Sequence, residues 1–551
     1  MRAKSTAALA LLALVLGCGH RDAGLEVAPR IVDRARLGNE LLFVDANHSE
    51  VDALDVTTAD PTPSVARIHV SANPKFAIER KGWASFPGSS GGAGGGGQTA
   101  WRDPLGLGEP EGSGIPAEEV LVLSDGSRDG SGEYIDKPTL AAIHVDHTVR
   151  NYELSAAYSQ MRLSEDARFA ILWGQQSSGS EDLLSNPNRV ALVDLEAEPG
   201  ATNPYERTLK AAGGNISDVL LTPPLAIAGQ SRPVALFSFG NGLGIWDITN
   251  PTHEDITAEG LSVAGTFLLN RVVADAPNAK LYLVQQNLTD LRVLSFGVAE
   301  DPAATNDFRI SLNQLPLALS GASDMVPYTE AGATNVLVAA GNRLAIVHTN
   351  DSRFGQVVMT ATAERLFSFE GRSPNDNDTK QRVLAWGAGR TAVSFVELNN
   401  LENAGTKNVE QLPLGYTLSN LVPLPNNLML AVLSGGGIGT IDLNSRRFKP
   451  LSATIALSSP LIESDAHRIW VGGNGSDSRV GYFEPATLAT GSLRLDDIVQ
   501  EMFLFETGSE RRVVVAHNNP IGSVTIVDAE KATRASSRAL VGFLVDGLVN
   551  R

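Results

Sequence analysis

The chain has 551 residues, 43% of them apolar, and its 44 basic and 62 acidic residues give a formal charge of −18. A chain of this length and composition can bury one very large core or several smaller ones, which argues against a largely disordered protein. Nucleic acid is not expected as a partner, because binding to phosphates needs clustered positive charge and the chain has no run rich in Lys and Arg.

The first 17 residues have the pattern of a bacterial signal peptide. Arg2 and Lys4 supply the positive charge at the start, and the apolar stretch STAALALLALVLG follows. This stretch is too short to span a bilayer as a stable helix but has the length of the apolar region of a signal peptide. We therefore expect residues 1–17 to be removed from the mature protein.

The end of the apolar stretch reads Val15-Leu16-Gly17-Cys18 and resembles the lipobox of bacterial lipoproteins, although Leu16 is bulkier than is usual there. Cys18 is the only cysteine of the chain, so it has no partner for an intramolecular disulfide. The resemblance implies that Cys18 becomes the lipidated first residue of the mature protein and anchors it to a membrane.

Gly19 follows the cysteine, where the resemblance associates an aspartate with retention in the inner membrane. The expected location is therefore the outer membrane or the cell surface, since two or more acyl chains hold a protein stably on a bilayer. Residues 18–38 would form a polar tether. If the lipobox is not processed, the protein is instead expected to be secreted or periplasmic.

A glycine-rich segment lies at about residues 84–116 and contains PGSSGGAGGGGQTAWRDPLGLGEPEGSG. Its composition cannot build a core, and it is predicted to be a flexible insertion between two strands. A phosphate-binding loop would need a Gly-Lys-Ser/Thr ending before a helix, which this segment lacks.

The loop DGSRDGSGEYID, residues 125–136, has oxygen-bearing residues at the spacing of an EF-hand-type calcium loop. Three features depart from that pattern: Gly132 occupies position 8, position 12 is an aspartate, and no helices flank the loop. The alternative is an ordinary Gly/Asp-rich hairpin connection. The candidate calcium ligands are Asp125, Ser127, Asp129, the Ser131 carbonyl, Glu133 and Asp136.

From residue 39 to residue 551 the chain repeats one unit about ten times, usually every 40 to 55 residues. Each unit has two runs rich in β-branched residues, joined by a Gly/Asn/Ser-rich turn and flanked by shorter strands. This period and strand number predict an all-β fold, a β-propeller of four-stranded blades. Ten units exceed the usual four to eight blades, so a single large ring, a ring with decorations and two propellers in tandem remain alternatives.

Two units also carry a family resemblance. GLGIWDITNPT, from Gly242, resembles the LVIVD repeat of bacterial extracellular propellers, and RVVVAHNNPIGSVTIVDAEKAT, from Arg512, resembles the YVTN repeat of surface-layer-type propellers. The resemblance implies an extracellular β-propeller lipoprotein but specifies the fold better than the function. At the C-terminus, RALVGF is predicted to be an outermost strand. LVDGLVN, residues 544–550, is predicted to be the innermost strand of a blade shared with the N-terminus.

The sequence offers few groups for chemistry. His144 and Asp146 project to the same face of a predicted strand and form a possible pair. We expect Trp173, Trp386 and Trp470 to pack between adjacent blades. No catalytic residues are assigned, because no nucleophile elbow, reactive cysteine or HExxH motif is present.

These features predict a non-enzymatic lipoprotein of the cell envelope, whose propeller binds or scaffolds a protein or saccharide ligand and possesses a calcium loop. The alternative is an extracellular propeller enzyme, lactonase-like or another hydrolase, with a calcium ion at the mouth of its channel. Fold alone does not choose between them, because propellers host both classes.

Overall fold

In a computed structural model of the chain, the residues described are 28–550 except for a set of gaps. Cys18, the predicted signal peptide and residues 84–115 of the predicted insertion lie outside the described residues. Within the described part, no helix is long and apolar enough to span a membrane. The gaps are 58–63, 82–115, 165, 175–185, 211–214, 241, 258–268, 270–271, 285–289, 299–307, 318–320, 331–332, 349–352, 375, 400, 425, 436, 452–459, 464–466, 473–474, 476, 508–509 and 546–548.

The described residues form ten antiparallel sheets that follow one another along the chain, numbered here as blades 1 to 10. The first five blades contain the following strands: blade 1, β1 (Ile31–Leu37), β2 (Glu40–Asp45), β3 (Glu50–Asp55) and β4 (Val65–His69); blade 2, β5 (Pro74–Glu79), β6 (Glu119–Ser124), β9 (Thr139–His144) and β10 (Val149–Glu153), with a ribbon of β7 (Ser127–Arg128) and β8 (Tyr134–Asp136); blade 3, β11 (Gln160–Leu163), β12 (Phe169–Trp173), β13 (Arg189–Asp194) and β14 (Tyr205–Thr208); blade 4, β15 (Ile216–Leu221), β18 (Val234–Phe239), β19 (Gly242–Asp247) and β20 (Ile256–Thr257), with a ribbon of β16 (Leu225–Ile227) and β17 (Gln230–Arg232); blade 5, β21 (Val273–Asp275), β22 (Lys280–Val284), β23 (Asp290–Val298) and β24 (Phe308–Pro316).

The remaining blades complete the series, and their described residues also include a short helix, α1 (Leu401–Ala404), and 3-10 turns at Gly405–Asn408, Arg534–Ser536 and Phe543–Val545. Their strands are as follows: blade 6, β25 (Asp324–Glu330), β26 (Ala333–His348) and β27 (Phe354–Ala363); blade 7, β28 (Arg365–Ser373), β29 (Asp376–Trp386), β30 (Ala392–Glu397) and β31 (Val409–Pro413); blade 8, β32 (Leu418–Leu424), β33 (Leu428–Leu433), β34 (Ile438–Asp442) and β35 (Arg447–Leu451); blade 9, β36 (Leu461–Ile462), β37 (Ile469–Gly472), β38 (Arg479–Phe483) and β39 (Thr490–Arg494); blade 10, β40 (Val499–Thr507), β41 (Glu510–His517), β42 (Ser523–Asp528), β43 (Ser537–Val541) and β44 (Val549–Asn550).

The second and third strands of the blades are apolar on both faces. All six residues of β6 are buried, and so are those of β18 and β19. The outer strands are less buried, as in β14 and β35. A strand covered on both sides reads as a continuous apolar run, which explains the paired β-branched runs of the sequence repeat.

Every pair of neighbouring blades shares a hydrophobic cluster, and the last such pair is blades 10 and 1. Across that closing interface, Arg36 Nη1 donates to the carbonyl oxygen of Leu504 at 2.6 Å, and Arg512 Nη1 donates to that of Val56 at 2.7 Å. The ten blades therefore form one ring, and the prediction of a β-propeller is confirmed. The tandem arrangement is wrong, because the ends of the series pack on each other.

Blade 6 has three strand segments because β26 contains two runs separated by Gly341, whose φ is +59°. Side chains before and after Gly341 alternate onto the same two neighbouring blades, which indicates that the segment folds back on itself there. The residues facing blade 5 are Val336, Val338, Ala345 and Val347, and those facing blade 7 are Leu337, Ala339, Leu344 and Ile346.

Two boundaries differ from the sequence predictions. The predicted tether, 18–38, overlaps β1, which pairs with β2 along its length, so the propeller begins at Ile31. The C-terminal segment does not supply the innermost strand of a shared blade, because β1 already occupies that place. Instead, β44 pairs with β43 as a fifth, outer strand, while Phe543 and Leu544 pack into the cluster between blades 10 and 1. β43, predicted to be the outermost strand, is therefore the fourth strand of blade 10 and lies between β42 and β44.

Aspartates on the innermost strands join neighbouring blades. Asp33 accepts a hydrogen bond from the backbone N–H of Ala77 in blade 2 at 2.8 Å, and Asp324 accepts one from Leu366 in blade 7 at 2.7 Å. The other carboxylate oxygen of each aspartate accepts the N–H of the residue that follows it in the chain. Each carboxylate thus accepts hydrogen bonds from two backbone N–H groups in adjacent blades. These bonds stabilise the interface, because charge-assisted hydrogen bonds are stronger than neutral ones.

We predict that Asp324→Ala lowers the free energy of unfolding by roughly 2–4 kcal/mol, because it leaves two backbone N–H groups without an acceptor at a site only 1% exposed. Urea denaturation of the purified protein measures this change. Asp378→Ala is the matched control, because the Asp378 side chain is 79% exposed in blade 7 and should change stability little. An equally small effect of Asp324→Ala would contradict the linking role.

Candidate functional site

A cleft of about 590 Å³ opens at one end of blade 2. It lies where β5 is followed by the connection to β6 and where β9 turns into β10, so both connections are at the same end of the sheet. Blade 3 contributes one side chain. The lining residues are Arg80, Glu118, Glu119, Ala142, His144, Asp146, Thr148, Arg150 and Glu198.

Glu119 lies at the centre of the cleft wall and is 6% exposed. Arg80 Nη1 donates to its Oε2 and Arg150 Nη2 donates to its Oε1, both at 2.7 Å. Arg80 Nε also donates to the carbonyl oxygen of Ala167 in blade 3 at 2.9 Å. The buried carboxylate is thereby neutralised, and the two guanidinium groups are fixed in position.

His144 and Asp146 form the pair predicted from the sequence. His144 Nδ1 lies 3.1 Å from Asp146 Oδ1, which also accepts hydrogen bonds from the hydroxyl and backbone N–H of Thr148 at 2.6 and 3.0 Å. The hydrogen bonds from Thr148, with that from His144, lower the pKa of Asp146 to about 2. Asp146 is therefore an anion in the physiological range and acts as a fixed acceptor.

Glu118 and Glu198 are exposed and complete the lining. The cleft holds four carboxylates and two guanidinium groups, so it carries an excess of two negative charges when His144 is neutral. Such a lining suits ligands rich in hydroxyl or amino groups, which donate hydrogen bonds to carboxylates.

The structure does not bring the predicted calcium ligands together. Asp125 forms an ion pair with Lys75 at 2.7 Å, and Asp136 Oδ2 accepts the backbone N–H of Ala72 at 2.5 Å. Asp129 Oδ1 instead accepts the hydroxyl and backbone N–H of Ser131 and the backbone N–H of Glu133. These bonds, with that from the Ser131 hydroxyl foremost, hold the pKa of Asp129 below its ordinary value.

The loop therefore folds as a ribbon of β7 and β8, with Ser127 in β7 and a turn between Asp129 and Gly132. It connects the second and third strands of blade 2, at the opposite end of the blade from the cleft. Among the described residues no group of three or more His, Cys, Asp or Glu is arranged to hold a metal ion. Calcium binding by this loop stays a prediction, and it would require these aspartates to leave their present partners.

The three tryptophans singled out in the sequence are buried, and two histidines outside the cleft bond to neighbouring groups. Trp173, Trp386 and Trp470 are buried in the clusters between blades 3 and 4, 7 and 8, and 9 and 10, as predicted. His147, on the turn beside the cleft, reaches Glu40 of blade 1 at 2.7 Å. His517 is buried between the Ile498 carbonyl and the Thr525 hydroxyl, and burial lowers its pKa.

Sequence reasoning found His144 and Asp146 but missed Arg80, Glu119 and Arg150. These three residues are far apart in the chain and lie within strands or at their ends, so no local motif connects them. The available signal was the acidic pair Glu118-Glu119 directly before an apolar strand, since a charged residue in a buried strand requires a partner.

Comparisons with known proteins assign no family. No protein-family model and no curated protein matches the chain. Among solved structures, "Dihydro-heme d1 dehydrogenase NirN in complex with DHE" is similar with a TM-score of 0.39 and 11% identity, over 75% of this chain and 77% of that one. The computationally designed Ika8 protein is similar with a TM-score of 0.33 and 7% identity, over 81% of this chain and 94% of that one. Neither likeness is strong enough to transfer a function.

We predict that Asp136→Ala lowers the free energy of unfolding by roughly 1 kcal/mol, because the backbone N–H of Ala72 loses its acceptor. Thermal melting should show the same decrease in stability with calcium present as with a chelator. Ser127→Ala, which changes another predicted calcium ligand, should have little effect in either condition. A calcium-dependent rise in the melting temperature that both variants reduce would instead support the calcium loop, since a ligand of the folded state stabilises it by mass action.

Proposed function

We propose that this protein is a non-enzymatic lipoprotein of the cell envelope, anchored through Cys18, whose ten-bladed propeller binds a saccharide ligand in the cleft of blade 2. The anchor is supported by the signal-peptide pattern and the lipobox resemblance of the first 18 residues. The propeller is supported by the sheet topology. Residues 19–30 would then separate the lipid from the first strand.

The pre-organised polar lining of the cleft is the observation that carries the binding function. Two arginines hold Glu119, and Thr148 and His144 hold Asp146, so these acceptors and donors keep their positions without a ligand. A site whose polar groups are already fixed loses little conformational freedom when it binds. Hydroxyl and amino groups of a saccharide match the excess of carboxylates, and a protein partner is the other outcome to be tested.

We predict that Cys18→Ala releases the protein from the membrane fraction into the soluble fraction of the envelope, because the only thiol that could accept a lipid is removed. Cell fractionation with immunoblotting measures the distribution. Gly19→Asp is the control, since it keeps the cysteine, and the lipobox resemblance predicts a shift to the inner membrane. Retention of Cys18→Ala in the membrane fraction would contradict the anchor.

For the cleft, we predict that Glu118→Gln with Glu198→Gln weakens binding to purified peptidoglycan sacculi about tenfold or more, because each lost charged acceptor costs roughly 1 kcal/mol or more. Co-sedimentation of the unanchored Cys18→Ala protein measures the affinity. The control is Glu153→Gln, an exposed glutamate of blade 2 outside the cleft. Equal binding by all variants would remove the saccharide assignment.

A hydrolase remains the second candidate because of the His144–Asp146 pair. A hydrogen bond from Nδ1 to Asp146 leaves Nε2 of His144 as the nitrogen that could take a proton from water. Hydrolysis of a lactone or ester by the wild-type protein that disappears in His144→Ala would replace the binding proposal. No turnover by the wild-type protein, together with binding to sacculi, would support the binding proposal.

A further inference from the structure

Arg292, in the third strand of blade 5, is a buried cation that stands outside the cleft. Its side chain is 2% exposed, and no acceptor among the described residues bonds to its Nε or Nη1. A guanidinium group removed from water without a counter-group is strongly destabilising. The group therefore calls for a compensating negative charge.

The alternation of β23 places Arg292 on the side of blade 5 that faces blade 4. Leu294 and Phe296, two and four residues further on, belong to the cluster that blades 4 and 5 share. Leu283, directly opposite Arg292 on the neighbouring strand, belongs to the same cluster. The guanidinium group thus extends into the interface between the two blades.

Ser238 lies on the facing side of that interface. It is 0% exposed, and its Oγ has no hydrogen-bond partner among the described residues. Its neighbour on the adjacent strand, Leu243, belongs to the same cluster as Leu283. The pair Ser238–Leu243 in blade 4 and the pair Leu283–Arg292 in blade 5 are each the second-to-last pair before the turn that joins the second and third strands. Ser238 and Arg292 are therefore at the same end of one interface.

The acidic residue opposite Ser238 in blade 4 already has other partners. Asp218 is directly opposite Ser238 on the innermost strand. Its Oδ1 accepts the backbone N–H of Val219 at 2.9 Å and lies 3.3 Å from Arg162 Nη1 of blade 3. On blade 5, Asp290 lies two residues before Arg292 on the same face of β23, but it has another interaction and forms no ion pair with Arg292 among the described residues. The interface thus contains a guanidinium group and a hydroxyl that can both donate hydrogen bonds.

We propose that Arg292 and Ser238 bind a small monovalent anion, such as chloride, between blades 4 and 5. The charge of Arg292 selects an anion, and Nε–H, Nη1–H and the Ser238 hydroxyl supply its hydrogen bonds. The very low exposure of both residues restricts the ligand to an ion of a few atoms. This site is independent of the cleft in blade 2 and of the proposed saccharide ligand.

Thermal melting with chloride as the probe tests the site, at constant ionic strength with gluconate as the replacing anion. The melting temperature of the wild-type protein should rise by about 1 °C for each tenfold increase in chloride above the dissociation constant. Arg292→Met should abolish the rise, and Ser238→Ala should shift it to higher chloride. Arg343→Met, which removes an exposed arginine of blade 6, should leave the rise unchanged.

Bromide gives a readout that does not depend on the variants folding. Crystals of the wild-type protein grown in bromide should show an anomalous peak beside Arg292 and Ser238. No chloride dependence in the wild-type protein, a dependence retained in Arg292→Met, or a bromide-containing crystal without a peak at this interface would each overturn the proposal.

Discussion

The structure depends on covering both faces of every blade. Strands such as β6 and β18 are buried along their whole length, so a single sheet of this sequence would expose apolar surface on two sides. Only a neighbour on each side can bury it, and a row of sheets satisfies this at its ends only by closing into a ring. The cluster between blades 10 and 1, with Arg36 and Arg512 donating across it, meets that requirement.

Closure buries some charged groups, and most of those among the described residues are paired with other charges or bonded to the backbone. Asp33 and Asp324 accept backbone N–H groups of two blades at once. Arginines near the strand ends bridge to carboxylates or carbonyl oxygens of the next blade, as Arg80 does with Ala167. Internal pairing is therefore the usual arrangement, and Arg292 differs because its Nε and Nη1 have no acceptor among the described residues.

The repeat could be predicted well from the sequence because the local pattern of each unit specifies its strands and turns. Paired apolar runs predict buried strands, and acidic residues after them predict turns: Asp247 and Asp442 each accept the N–H of the residue two positions on. The ends of the chain were harder to predict. The run IVDRARL contains three charged residues among its seven, a composition that suggests a tether. It is nevertheless the innermost strand of blade 1, because neighbouring blades cover such strands only in part.

The difference between local structure and contacts made by folding also explains how far each of the two candidate sites could be predicted. The spacing of DGSRDGSGEYID fits a calcium loop, but spacing does not reveal that Asp129 prefers the nearby donors of Ser131 and Glu133, a competition that short polar side chains commonly win in turns. The cleft had no motif at all, because Glu119, Arg150 and Glu198 are brought together by the pairing of strands and the packing of blades. A binding site assembled from sheet geometry is visible in sequence only as a charged residue in a buried strand. Glu119 and Arg292 are both such residues, and each points to a place where the ring departs from purely apolar packing.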